Sequence, residues 1–148
     1  AGLIALDTMR DYIIGHGRQL WALLAEVDLL FLNGPELTAL VGGDPSRLLG
    51  RGRLRALVVK EGAEGARLIT AEGDWWVAPP AVRRVVDPTG AGDALAGGML
   101  GRLAELRRTD PEALLEALAE GTLAAGAAIE AFGPKGLLAG REEGSVPL

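Results

Sequence analysis

The sequence predicts an α/β domain with a largely parallel sheet and an antiparallel edge. Three observations carry that reading. Short, continuous apolar runs alternate with stretches at helical spacing, the pattern of strands buried on both faces and linked by crossover helices. Most runs end in polar or Gly-Pro punctuation, as strands do. One pair of runs, 66–70 and 75–78, is separated by a turn too short for a crossover, so it must return antiparallel.

Residues 3–6 are an apolar run ending at Asp7 and predict a first buried strand. From 17 to 27, Leu20, Leu23 and Leu24 sit at helical spacing. A second strand over 29–32 runs into Asn33-Gly34-Pro35, where Pro35 suits the first turn of a short helix through Val41. Gly42-Gly43-Asp44-Pro45 is a break, and 47–54 predicts a short helix before a third strand at 56–60. The Gly-bearing turn 61–65 leads to the strand 66–70, and 71–74 turns into the strand 75–78, ended by Pro79-Pro80. Residues 82–86 read as extended and enter Asp87-Pro88-Thr89-Gly90-Ala91-Gly92-Asp93. There Leu95, Met99, Leu103 and Leu106 begin a helical stripe. Thr109-Asp110-Pro111-Glu112 resembles a capping box with an early proline, opening an Ala-rich helix to about residue 132. Gly133 to Gly136 ends it, and 140–148 reads as a loose polar tail. Ligands of such sheets bind beyond the carboxyl ends of the strands. Asp7, Asn33, Lys60 and the 87–93 loop all follow strands, which predicts one shared edge.

Composition narrows the function. A length of 148 residues suits a single domain, long enough for a core of its own. With no Cys there is no disulfide framework, thiolate zinc site or cysteine nucleophile, and the single His16 excludes multi-histidine metal sites. A net charge of -5 argues against nucleic acid as a partner. No run of 18 uncharged apolar residues suggests a membrane span and no signal pattern is seen, so the expected location is cytoplasmic. One Asn, one Gln and two Met fit a thermophile. The chain begins at Ala1 and not Met, which suggests a fragment or a processed product.

The strongest chemical feature is the 88–93 turn. Small residues at Gly90, Ala91 and Gly92 let a ligand approach backbone amides that open a helix, and such amides with the helix dipole form an anion site. The string is neither a P-loop nor a dinucleotide fingerprint. An acidic side chain there repels phosphate unless it serves a hydroxyl, so Asp93 reads as a base beside an anion hole. The plainer reading is that Asp93 supports the first helical turn and the glycines only bend the chain.

The string from Asp87 to Leu100 resembles the C-terminal signature of the ribokinase-like (PfkB-type) carbohydrate kinases. Asn33-Gly-Pro-Glu36 is similar to that family's Asn-x-x-Glu motif, and Lys60-Glu-Gly62-Ala-Glu-Gly65 to its phosphate-following turn. Asp7-Thr8-Met9-Arg10 is similar to a segment of sugar kinases with poorly defined substrates. The resemblance spans about residues 1 to 140 and implies a ribokinase-like fold and ATP-dependent phosphorylation of a small sugar or nucleoside. It implies Asp93 as catalytic base and Gly90, Ala91 and Gly92 as the anion hole. Asn33, Lys60, Gly62 and Gly65 would lie on the nucleotide side, and Thr122 would stand near the adenine where the family often has Asn. Glu36 would hold Mg2+ through water, and Asp87 and Thr89 would help bind a monovalent cation such as K+. Plainer readings stand beside these: Asn33 as a cap or turn residue, Lys60 as a solvated strand end, Asp87 as a turn former. The resemblance also implies that the family's N-terminal half and lid are absent, making 1–148 one C-terminal portion. The rivals are a nucleotide-binding fragment without catalysis, and a half that pairs with a separate N-terminal portion or with itself as a homo-oligomer.

Overall fold

The computed structural model describes residues 2–133 and 135–142; Pro134 and the end of the expected tail, 143–148, lie outside the described residues. The chain divides into two compact units, Ala1–Trp76 and Val77–Leu148.

The first unit holds strands β1 (Ala5–Asp7), β2 (Leu29–Asn33), β3 (Ala56–Lys60) and β4 (Ala66–Thr70), with β5 (Asp74–Val77) next in one open sheet of order β1-β2-β3-β4-β5. β1, β2 and β3 are parallel, and β4 runs antiparallel to β3. The sheet is therefore mixed, with its antiparallel pairing at β3–β4, across the Gly-bearing turn 61–65. β2 and β3 are buried at every position but the last, which is why their sequences read as unbroken apolar runs. Leu30 sits opposite Leu57, and Leu57 opposite Ile69, giving a layer that packs with helices α1 (Arg10–Gly15), α2 (Gly17–Leu24) and α3 (Gly34–Val41).

The second unit holds α4 (Ala91–Leu106), α5 (Pro111–Ile129) and α6 (Lys135–Glu142). α4 and α5 pack so closely that a Cβ on Gly121 would stand 2.5 Å from the Leu95 carbonyl oxygen, and one on Gly98 2.8 Å from the Ala124 Cβ. Gly97 and Gly101 of the same helix face open space. Leu95, Met99 and Leu103 are buried as the stripe required.

Several local expectations change. The helix expected over 47–54 is a 3-10 turn, Pro45–Arg47, capped by Asp44, followed by irregular chain. Gly50 and Gly52 have φ of 78° and 54°, values a right-handed helix does not contain. α1 was not expected, because its N-cap Met9 makes no side-chain cap and Ile13-Ile14 read as strand formers. The α5 cap is Asp110, whose carboxylate accepts from the Ala113 amide at 3.2 Å, and not Thr109. That helix ends at Ile129, and the chain returns as α6 at Lys135. Residues 82–86 join no strand; instead the Val86 and Asp87 amides donate to the Ile129 carbonyl at 2.7 and 3.2 Å. This contact seats the 87–90 turn on the carboxyl end of α5.

Candidate functional site

In the second unit, the Thr89 amide donates to Asp87 Oδ1 at 2.9 Å, closing a tight local turn. Bonds from the Thr89 amide and then its hydroxyl hold the Asp87 carboxyl below the usual carboxylate range. Gly90 then takes φ 80°, ψ 2°, the left-handed region, as the N-cap of α4. A side chain there would be strained, so the glycine is a requirement of this entry into the helix. Ala94 donates to the Gly90 carbonyl at 2.9 Å, and Ala91 donates to Pro88 at 3.3 Å. The amides of Gly90, Gly92 and Asp93 have no acceptor among the described residues. Those amides are the orphan donors of a helix start.

Asp93 lies in the first turn of α4 and is exposed. Its carboxylate makes no hydrogen bond or ion pair among the described residues. The plainer reading, support of the first helical turn, fits this position as a charge near the helix start and not as a capping bond. Asp93 and Gly90 line an open cavity of about 690 Å³ whose walls also include Gly97, Glu120, Leu123 and Leu137. Thr122 is not among those walls: it is buried, and its hydroxyl donates to the Ala119 carbonyl at 2.7 Å within α5.

In the first unit, parallel pairing puts Asp7, Asn33 and Lys60 at the carboxyl ends of β1, β2 and β3, as expected. Asn33 and Glu36 form a reciprocal capping box: the Glu36 amide donates to Asn33 Oδ1 and the Asn33 amide to Glu36 Oε2, each at 2.8 Å. The Thr8 hydroxyl stands 3.4 Å from the same Oε2. Glu36 is buried, so its carboxylate is an internal acceptor first, and only Oε1 lacks a partner among the described residues. Lys60 Nζ meets both oxygens of Asp7, at 2.7 and 2.8 Å, a contact no sequence signal announced. Beyond it Gly62 and Gly65 take φ of 60° and 101° around a 3-10 turn, Gly62–Glu64. No cluster of three acidic or histidine side chains that could hold a metal ion exists among the described residues. A magnesium site here would need phosphate and water ligands, which that ion ordinarily keeps.

His16 is exposed at the end of α1 and lies 4.9 Å, ring to ring, from Tyr12. Trp76 is exposed, with its indole N–H donating to the Glu64 carbonyl at 2.8 Å. Trp76 thus braces the Gly62–Glu64 turn from outside, and His16 joins none of the groups above. No helix among the described residues is long and apolar enough to cross a membrane.

A family model, pfkB family carbohydrate kinase, matches residues 8–138. Over 43 residues the chain is 56% identical to aminoimidazole riboside kinase of Salmonella typhimurium, a stretch equal to 29% of this chain and 13% of that protein. The crystal structure of aminoimidazole riboside kinase from Salmonella enterica, complexed with aminoimidazole riboside and an ATP analog, matches with TM-score 0.75 at 31% identity, over 89% of this chain and 47% of that one. Nucleoside kinase of Methanocaldococcus jannaschii, an archaeal member of the ribokinase family, matches with TM-score 0.76 at 26% identity, over 89% and 43%. Fructokinase of Vibrio cholerae O395, in its form with fructose, ADP and calcium, matches with TM-score 0.75 at 25% identity, over 90% and 46%. The chain therefore spans a little under half the length of the solved structures it resembles.

Proposed function

The chain belongs to the pfkB family of carbohydrate kinases, and on that premise we propose that it carries the base and anion hole for ATP-dependent phosphoryl transfer to a hydroxyl of a small sugar or nucleoside. One observation carries this: the Asp93 carboxylate is exposed and unpartnered beside the unengaged amides of Gly90 and Gly92. The carboxylate is thereby free to accept a proton from a bound hydroxyl.

In the proposed step Asp93 takes the proton of the acceptor hydroxyl as its oxygen attacks the γ-phosphorus. The new O–P bond forms while the bond from that phosphorus to the β,γ-bridging oxygen breaks, and ADP leaves with that oxygen. The Gly90 and Gly92 amides, with Ala91 when its long bond to Pro88 opens, stabilise the charge on the transferring group. The first unit supplies the residues assigned to the nucleotide: Asn33, Lys60, Gly62 and Gly65. Thr122 is assigned to the adenine side only if its hydroxyl leaves the Ala119 carbonyl. Glu36 would meet Mg2+ through water at Oε1, and the ion when bound would offset phosphate charge. Asp87 and Thr89 would offer their remaining oxygens to a monovalent cation. ATP as donor sets the reaction in the cytoplasm.

A second reading is favoured by the coverage: the chain is a nucleotide-binding portion that turns over only with the remainder of the fold, supplied separately. The test measures ATP–magnesium binding by calorimetry, then ADP release with ribose, fructose, inosine or aminoimidazole riboside. Where turnover occurs, Asp93→Asn should lower it by roughly 10²–10⁴-fold with nucleotide affinity kept. Equal turnover in that variant would falsify the assignment. Binding without turnover on every acceptor favours the second reading.

A further inference from the structure

We propose that Asp7 is a positioning residue that holds the Lys60 ammonium for the phosphates of the nucleotide; this rests on the kinase reading above. Asp7 ends β1 and stands level with Phe31, while Lys60 ends β3 and stands level with Asn33. The Lys60 side chain therefore reaches back across β2 to meet the carboxylate, 53 residues away in sequence. Both carboxylate oxygens lie within 2.8 Å of Nζ, and the lysine side chain is only 19% exposed. A free lysine samples many rotamers, and fixing it on binding costs entropy. Here the two-oxygen contact and the half-buried stem fix it beforehand. An ammonium has three donors, so one not aimed at Asp7 remains for an incoming anion. The neighbouring Thr8 acts in parallel. Its amide and hydroxyl reach the Phe31 carbonyl at 3.2 and 3.3 Å, and its hydroxyl approaches Glu36 Oε2, so the end of β1 is locked to β2 and α3. The anchor that holds Lys60 is thereby itself held.

The composition makes the test clean, because Lys60 and Lys135 are the only lysines. With 15N-lysine label in the full chain, two ammonium signals are followed during titration with ATP, inorganic tripolyphosphate or adenosine. ATP and tripolyphosphate should move the Lys60 signal and adenosine should not. Asp7→Asn should weaken ATP by roughly three- to tenfold, the scale of one ordinary hydrogen bond net of solvent, with adenosine affinity and the unfolding midpoint little changed. Lys60→Met should weaken ATP at least as much, and Asp7→Asn added to it should do no more. The inference is overturned if ATP saturates the chain with the Lys60 signal unmoved. It is also overturned if Asp7→Asn leaves ATP affinity unchanged or tightens it, since Asp7 would then be inert or a competitor. In those cases the kinase reading survives. A chain that binds no ATP at all overturns both.

Discussion

The two units treat their motif residues in opposite ways. In the first unit the motif side chains are engaged by the fold: Asn33 and Glu36 bind each other's amides, and Lys60 binds Asp7. In the second, Asp93 and the amides of Gly90, Gly92 and Asp93 bind nothing among the described residues. A bonded polar group contributes to stability and also to position, whereas an exposed one at a helix start is met by water and can exchange that water for a ligand. Substitutions of the buried partners in the first unit should therefore move folding, whereas breaking the solvent-facing Asp7–Lys60 pair should move it little and substitution at Asp93 should move chemistry alone. A spectroscopic accident helps separate the two. Trp21, Trp75, Trp76 and Tyr12 all fall in the first unit, so intrinsic fluorescence reports on that unit, while far-UV circular dichroism also sees α4 and α5.

The largest folding effect is expected at Asp28, at the opposite end of β2 from Asn33. Asp28 is fully buried and accepts from the Ile4 amide at 3.0 Å, from Arg53 at 2.8 Å and from Arg55 at 2.8 Å. Asp28→Asn keeps the shape but loses the charge in each bond, and should cost about 2–3 kcal/mol in the fluorescence-detected urea transition. Burial pushes the Asp28 carboxyl up, but the Ile4 amide with Arg55 and Arg53 outweighs it and holds the group below its ordinary 3.8. The folded pKa lies below the unfolded one, so the stabilisation is whole above pH 3.8 and drains as pH falls through the folded value. The parent's midpoint should fall in that acid range, and the variant's should fall less.

Next comes Glu36→Ala. It leaves the part-buried Asn33 amide without its acceptor and removes one partner of the buried Thr8 hydroxyl. The expected loss is about 1–2 kcal/mol, again by fluorescence. A loss near zero would break the comparison, because Glu36 would then be as idle as Asp93 and free for an ion.

How far the sequence revealed this follows from the range of each interaction. β3 and β4 carry their own apolar runs and turn residues, and they fall on the expected residues. The Asn33–Glu36 box is also local, and its plainer reading as a cap holds for Asn33. The helix expected over 47–54 fails because Gly50 and Gly52 take left-handed φ, although Leu48 and Leu54 are both buried. The 87–93 string announced its helix start. It did not announce that the turn is seated by Val86 and Asp87 on the Ile129 carbonyl. The Asp7–Lys60 pair was invisible for the same reason: it exists only once three parallel strands are in register.

The smallest folding effect carries the most weight. Asp93 is the third residue of α4, where a negative charge meets the positive end of the helix dipole. Asp93→Asn removes that charge and no bond, so the cost should stay below about 0.5 kcal/mol by circular dichroism and shrink further in salt. Asp110 is the comparator in the same unit: it caps α5 through the Ala113 amide, and Asp110→Ala should cost about 1 kcal/mol. If Asp93→Asn cost as much as Asp110→Ala, the carboxylate would be stabilising the helix start in solution, and the contrast between the units would collapse. If instead it is nearly silent in folding while phosphoryl transfer falls by orders of magnitude, the two readouts separate at one residue. A side chain kept in an exposed, unbonded, electrostatically active position without benefit to stability then has its explanation in the proton it removes.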